Sequence, residues 1–123
     1  MSGLSETVTT GEMRLVEVGS EATLYCPACR GDNLHHLGVK VFDRAEDAQT
    51  ITRTEVRGGL IASHLIAGAG AGNPSGRRDG LAVMFECEGC NADPLELTIA
   101  QHKGQTLMAW RYTTNPQRDA SKG

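Results

Sequence analysis

All four cysteines of the chain fall in two C-x-x-C pairs, Cys26-Pro27-Ala28-Cys29 and Cys87-Glu88-Gly89-Cys90. A C-x-x-C turn presents two thiolates from one tight bend, and two such turns close a tetrahedral shell around a single ion. Pro27 and Gly89 suit bends of that kind. With no fifth cysteine, the pattern predicts a closed, structural metal site at Cys26, Cys29, Cys87 and Cys90. One Zn²⁺ is the expected occupant, and iron in the same four-sulfur cage is the alternative. A thiol–disulfide redox motif would need a C-x-x-C at the strand–helix junction of a βαβ unit, and no such unit is visible.

The rest of the composition agrees with a small stapled domain. The 123 residues include 2 Phe, 2 Tyr and 1 Trp, so large side chains for a core are scarce. A bound metal compensates for a thin core because its binding energy is folding energy. The net charge of −3 argues against charge-driven coating of nucleic acid. No leader of the secretory type and no apolar run of membrane-spanning length appears. The expectation is a soluble cytoplasmic protein with no membrane association, where paired C-x-x-C turns read as metal ligands rather than disulfides.

Alternation of apolar and polar residues predicts an all-β fold, a small antiparallel sheet. Strands are expected over 33–43, 50–57, 81–86, 95–102 and 106–112, the last two joined by a turn at Lys103-Gly104. In the first of these, Leu37, Val39 and Val41 are set on one face and His36, Lys40 and Phe42 on the other. A further short strand is expected over 13–18. Residues 58–80, with Gly68-Ala69-Gly70-Ala71-Gly72 inside them, read as a long mobile glycine-rich loop between the knuckles. Within it, 60–67 is short enough to be either a helix or a strand. Residues 1–12 and 113–123 read as disordered tails flanking one domain over 13–112.

Knuckle, strands, second knuckle and closing hairpin together resemble a zinc ribbon. That resemblance rests on Cys26-Pro27-x-Cys29 and Phe85-x-Cys87-x-x-Cys90. The chain also resembles a group of small proteins of actinobacteria and their phages. The shared stretches are Leu34-His35-His36, Val39 to Arg44, Asn73 to Arg78 and Ile99 to Thr106. This second likeness spans residues 26 to 110 and implies no activity. The departure from a simple ribbon is the separation of the pairs by residues 30–86, where ribbons commonly have roughly 15–20 residues.

Candidate binding groups lie elsewhere. Arg77 and Arg78, with Asn73, Ser75 and Gly76, form the best local candidate for a partner-binding loop, since two guanidiniums beside flexible backbone can clamp an anion. The competing reading is an exposed turn carrying solubilising charge. It is not a phosphate-binding loop of the Gly-Lys-Ser/Thr type. His35 and His36 follow the first knuckle, and with four cysteines present they are expected outside the metal shell. The leading expectation is a non-enzymatic binding module contacting a protein, as in a transcription or replication assembly, with nucleic acid as the other candidate partner. The alternatives are a small metal-dependent hydrolase or nuclease using His35 and His36 with Asp43, Glu46 or Asp47, and a rubredoxin-like iron electron carrier.

Overall fold

The computed structural model describes residues 5–8, 18–19, 21–90 and 95–113. Seven strands form one sheet: β1 (Ser5–Val8), β2 (Leu34–Asp43), β3 (Thr50–Arg57), β4 (Leu60–Ala67), β5 (Gly80–Cys87), β6 (Leu95–His102) and β7 (Gln105–Thr113). Their spatial order is β1-β7-β6-β5-β2-β3-β4, and every neighbouring pair is antiparallel. No helix occurs among the described residues. The sheet is thus two local meanders, β2-β3-β4 and β5-β6-β7, joined along β2 and β5. Strand β1 is added at the far edge.

Turn chemistry accounts for the two tightest connections. Gly58 and Gly59 both have positive φ (60° and 80°), as do Lys103 and Gly104 (50° and 81°). Two left-handed residues in succession match the twist of the strands they join, and glycine adopts that conformation at least cost. Between His36 and Gly38 the pairing with β5 shifts by one residue, with His36 opposite Phe85 and Gly38 opposite Met84. Leu37 is the extra residue of a β-bulge. Its effect corrects the expected alternation: His36 lies on the face of Val39 and Val41, not opposite them.

Each face of the sheet carries its own cluster. On one, Phe85, Leu95, Leu97 and Trp110 pack with Cys26, and Leu24, Leu34, Val83 and Tyr112 join from the side. Phe85 and Trp110 meet edge to face with ring centroids 5.5 Å apart, the arrangement that ring quadrupoles favour. On the other face, Phe42, Ile51 and Ala71 form a second cluster, with Ile66 packed against it.

Residues 58–80, expected as one loop, divide differently. Leu60–Ala67 is strand β4, paired along its whole length with β3. The remainder, 68–79, lies on the sheet face that holds Phe42. There Ala71 is 7% and Ser75 5% exposed. Glycine-rich composition hid this because the loop offers few large side chains of its own and is held by hydrogen bonds to residues distant in sequence. Arg111 Nη2 donates to the Gly72 carbonyl (2.8 Å), Arg44 Nη1 to that of Gly76 (3.0 Å), and Ser75 Oγ donates to the Gln101 carbonyl (2.8 Å). Gly80, at the loop's exit, is so close to Asn73 Oδ1 and Pro74 that any Cβ there would collide. At the other margin, Ser5–Val8 pairs with β7, which corrects the reading of 1–12 as wholly disordered. Of the strand expected over 13–18, residues 13–17 lie outside the described residues and Val18 is in a turn; of the tail expected over 113–123, Thr113 ends β7 and the rest lies outside the described residues.

Glu96 is the buried charge of this face, 1% exposed. Its Oε2 accepts from Lys40 Nζ at 2.8 Å and its Oε1 from Arg111 Nε at 2.8 Å. Burial would push its carboxyl upward, but the hydrogen bond from Lys40 and the charges of Lys40 and Arg111 outweigh it and hold it below the ordinary glutamate value. A depressed folded-state pKa means stability that is present above the unfolded value and lost as pH falls through the folded one. Removing one partner of a buried pair strands the other charges. Glu96→Gln should therefore lower unfolding free energy by about 3–5 kcal/mol at neutral pH. Urea titrations of both proteins should show the gap narrowing as pH falls below about 4.

Candidate metal centre

The knuckles meet because β2 begins where β5 ends. Leu34, just after the first knuckle, pairs with Cys87, and the Glu88 N–H donates to the Asn33 carbonyl at 3.0 Å. The long intervening segment runs out along β2, through β3, β4 and the 68–79 loop, and returns along β5. Antiparallel pairing of β2 with β5 thus cancels the sequence separation of the two pairs.

Within the first knuckle, the Cys26 N–H donates to the Gly31 carbonyl and the Arg30 N–H to the Cys26 carbonyl, both at 2.8 Å. Arg30 takes a left-handed φ of 65° to close the bend. Backbone amides point at sulfur: Ala28 N to Cys26 Sγ and Gly31 N to Cys29 Sγ at 3.4 Å, and Gly89 N to Cys87 Sγ at 3.3 Å. Such donors stabilise negative thiolates.

Across the knuckles, Cys26 Sγ lies 3.8 Å from Cys90 Sγ, and Cys29 Sγ 3.6 Å from Cys87 Sγ. All four sulfurs fall within 4.8 Å of one another. A disulfide would hold its sulfurs about 2.05 Å apart. A tetrahedron with metal–sulfur bonds of about 2.3 Å has sulfur–sulfur edges of about 3.8 Å. The four thiols therefore fit a metal ion and do not fit disulfide pairs. Cys26 is buried, Cys87 and Cys90 half-buried, and Cys29 exposed. Burial raises the Cys26 thiol, but the amides of Cys29 and Ala28 and hydrogen bonds with the Cys87 and Cys90 thiols bring it down to about 7. Cys87 is pushed up to about 12 by burial and by the neighbouring thiols of Cys29, Cys90 and Cys26, against the Gly89 amide. Four thiols this close resist losing all their protons together without a counter-charge. A divalent cation among them removes that conflict.

The other singled-out residues fall elsewhere. His35 Nε2 lies 2.9 Å from Glu88 Oε2, both side chains more than half exposed, and His36 is exposed opposite Phe85. Among the described residues, neither joins the sulfur cluster. Asp43 ends β2 at the opposite end from His35 and His36, and Glu46 and Asp47 lie beyond it, so the strand keeps these carboxylates away from the two histidines.

The Asn73-to-Arg78 stretch is brought together, but its groups face different ways. Asn73 Nδ2 donates to the Arg78 carbonyl (2.8 Å), and Asn73 Oδ1 accepts from the Ser75 N–H (3.0 Å). Ser75 Oγ is turned inward to Gln101 and accepts from the Arg78 N–H (3.0 Å). Arg77 and Arg78 reach the surface. Arg77 grips Asp47 through two hydrogen bonds, Nε to Oδ1 (2.8 Å) and Nη2 to Oδ2 (2.6 Å), and touches Glu46 at 3.2 Å. Arg78 Nη2 reaches Glu46 Oε1 at 2.7 Å. The hydrogen bond from Arg77 holds the Asp47 carboxyl below its ordinary value. These carboxylates were the signal that sequence reading missed. They sit about thirty residues earlier in the chain, with separations of 30 and 32 for the main pairs.

No family model matches the chain, and no curated protein or solved structure is detectably similar to it. No helix among the described residues is long and apolar enough to cross a membrane.

Elemental analysis should find one metal ion per chain. Cys26→Ser should abolish retention and collapse the fold, because Cys26 is also part of the core around Phe85 and Trp110. Cys29→Ser, at an exposed corner, should weaken metal binding with a smaller loss of structure. A strong chelator should lower the melting temperature of the wild-type protein and leave that of metal-free Cys29→Ser unmoved. Metal-free wild-type protein with full thermal stability would overturn the assignment.

Proposed function

We propose that the chain is a non-enzymatic binding module of the zinc-ribbon kind, in which Cys26, Cys29, Cys87 and Cys90 hold one structural Zn²⁺ and the surface contacts a protein partner. The observation that carries this reading is the four-sulfur shell itself. Its sulfur–sulfur edges of 3.6 and 3.8 Å suit a tetrahedral ion with all its ligands supplied by the chain, which supports a structural rather than a catalytic role. The residues present supply the whole coordination, and the ion's contribution is to bind the two knuckles into one unit.

The choice of a protein over a nucleic acid rests on Arg77 and Arg78. Both guanidiniums are engaged by Glu46 and Asp47, so a phosphate would have to displace carboxylates already in place. The four residues make an exposed patch of both signs. A protein surface of interspersed charge complements such a patch better than a polyanion does. A place in a transcription or replication assembly is consistent with a zinc-ribbon module, by analogy of fold alone.

Two measurements test the reading. The purified protein should be colourless, since zinc thiolates do not absorb visible light; a coloured iron–thiolate spectrum would favour the electron-carrier alternative. Affinity capture from host lysate should retain partners in the presence of nuclease, and the double variant Arg77→Ala/Arg78→Ala should lose them at unchanged metal content and melting temperature. Capture that disappears with nuclease would transfer the assignment to nucleic acid, and direct titration should then show a salt slope that falls by about one to two in the double variant.

A further inference from the structure

Strand β4 is an outer strand of the described sheet. Among the described residues it pairs with β3 alone. Sheet edges are usually blunted by charge, proline or bulges, yet Leu60–Ala67 reads LIASHLIA, without Lys, Arg, Asp, Glu or Pro. Leu60, Ile61 and Leu65 are 74%, 76% and 71% exposed.

The phase of its unused backbone groups follows from the turn. A two-residue turn at Gly58-Gly59 makes Arg57 and Leu60 a hydrogen-bonded pair, and bonding then alternates along the ladder. Leu60, Ala62, His64 and Ile66 direct N–H and C=O towards β3. Ile61, Ser63 and Leu65 direct theirs outward. The Gly68 N–H to Gln49 carbonyl bond, at 2.7 Å, falls in the same phase one step past the Thr50–Ala67 pair.

A second copy added antiparallel is related by a two-fold axis perpendicular to the sheet, so outward residues must oppose outward residues. Centring that axis on Ser63 sets Ser63 against itself and Ile61 against Leu65, all in hydrogen-bonded pairs. On the opposite face, Leu60 meets Ile66 and Ala62 meets His64. Every large exposed apolar side chain of the strand then faces another, on both faces of the sheet. Centring on His64 instead sets Leu65 against Ser63 and Ile61 against Ala67, which loses that match. Charge is compatible with the Ser63 register: in the row through Ala62 and the second copy's His64, the β3 residues outside them are Glu55 on one side and Arg53 on the other. We infer that β4 pairs with β4 of a second copy about a two-fold axis at Ser63, joining the two seven-stranded sheets into one. The match is of the strand with itself, which is what singles out a second copy of this chain over a foreign strand. An edge of eight residues lies at the small end of the interface range, below about 1,200 Å², so the dimer is a concentration-dependent one.

Sedimentation velocity of the 123-residue protein from about 1 μM to about 1 mM should show monomer passing into dimer. Ser63→Pro removes an outward N–H and leaves the β3 ladder in place, apart from the Ser63 Oγ to Thr54 Oγ1 contact at 2.7 Å. It should abolish the dimer. Ile61→Lys should raise the dissociation constant by at least about tenfold and decides the matter if Ser63→Pro fails to fold. Ser63→Cys should form a disulfide between copies, since a hydrogen-bonded antiparallel pair sets Cα atoms about 5.5 Å apart, and His64→Cys should not. Monomer at every concentration would overturn the inference and leave the edge to some other chain. A dimer indifferent to Ile61→Lys, or a disulfide from His64→Cys in place of Ser63→Cys, would also overturn it.

Discussion

The pairing of β2 with β5 is the contact on which the rest of the structure depends. Each meander on either side of it closes through short connections, and this seam is the strand pairing that unites them. The same seam brings Leu34 opposite Cys87 and so sets the two knuckles side by side. It separates two apolar clusters, one on each face, neither of which is large. A chain with so few aromatic side chains would gain from a metal ion held by the four cysteines at the end of this long-range strand pair, where coordination and hydrogen bonding would support the same register.

The two faces are held by different physics. On the face with Trp110, thiols and hydrocarbon share one cluster, and Cys26 belongs to both. On the other, hydrogen bonding supplies much of the fastening. Arg111 is the central group there, since it donates both to the buried Glu96 and to the Gly72 carbonyl of the covering loop. Buried charge on a sheet face is costly in isolation, but every buried side-chain polar atom among the described residues has a partner. Glu96 thereby couples the loop to the seam through Lys40 on β2 and Arg111 on β7.

The readable parts of this sequence were those whose chemistry is carried by residue type or by local period. Cysteine spacing located the cluster, and alternation located β3 and β6 to the residue. The bulge at Leu37 escaped because Leu37, Val39 and Val41 keep perfect period two, and only the register with β5 reveals the shift. Strand β4 was ambiguous because LIASHLIA mixes apolar residues onto both faces, as a strand half-covered on one side and open at its edge allows. The loop at 68–79 was misread because small residues were taken to mean little contact, whereas its backbone carbonyls are gripped by arginines distant in sequence. For Arg77 the obstacle was the same: Asp47 and Glu46 are neighbours only after β2, β3 and β4 have folded.

The position of the cysteines at one end of the seam has a consequence for how the sheet assembles. Ligand pairs 58 and 64 residues apart must find each other in a disordered chain, and the entropy of closing such a loop grows only slowly with its length. An ion captured first by the two knuckles would turn the search for the β2–β5 register into a local one, with Leu34 and Cys87 already adjacent. Pairing would then propagate in one direction, from the sulfur end towards Phe42 and Gly80, with the meanders condensing onto a seam already begun. In that sense an ion held there would be the starting point of a zipper as well as its clasp.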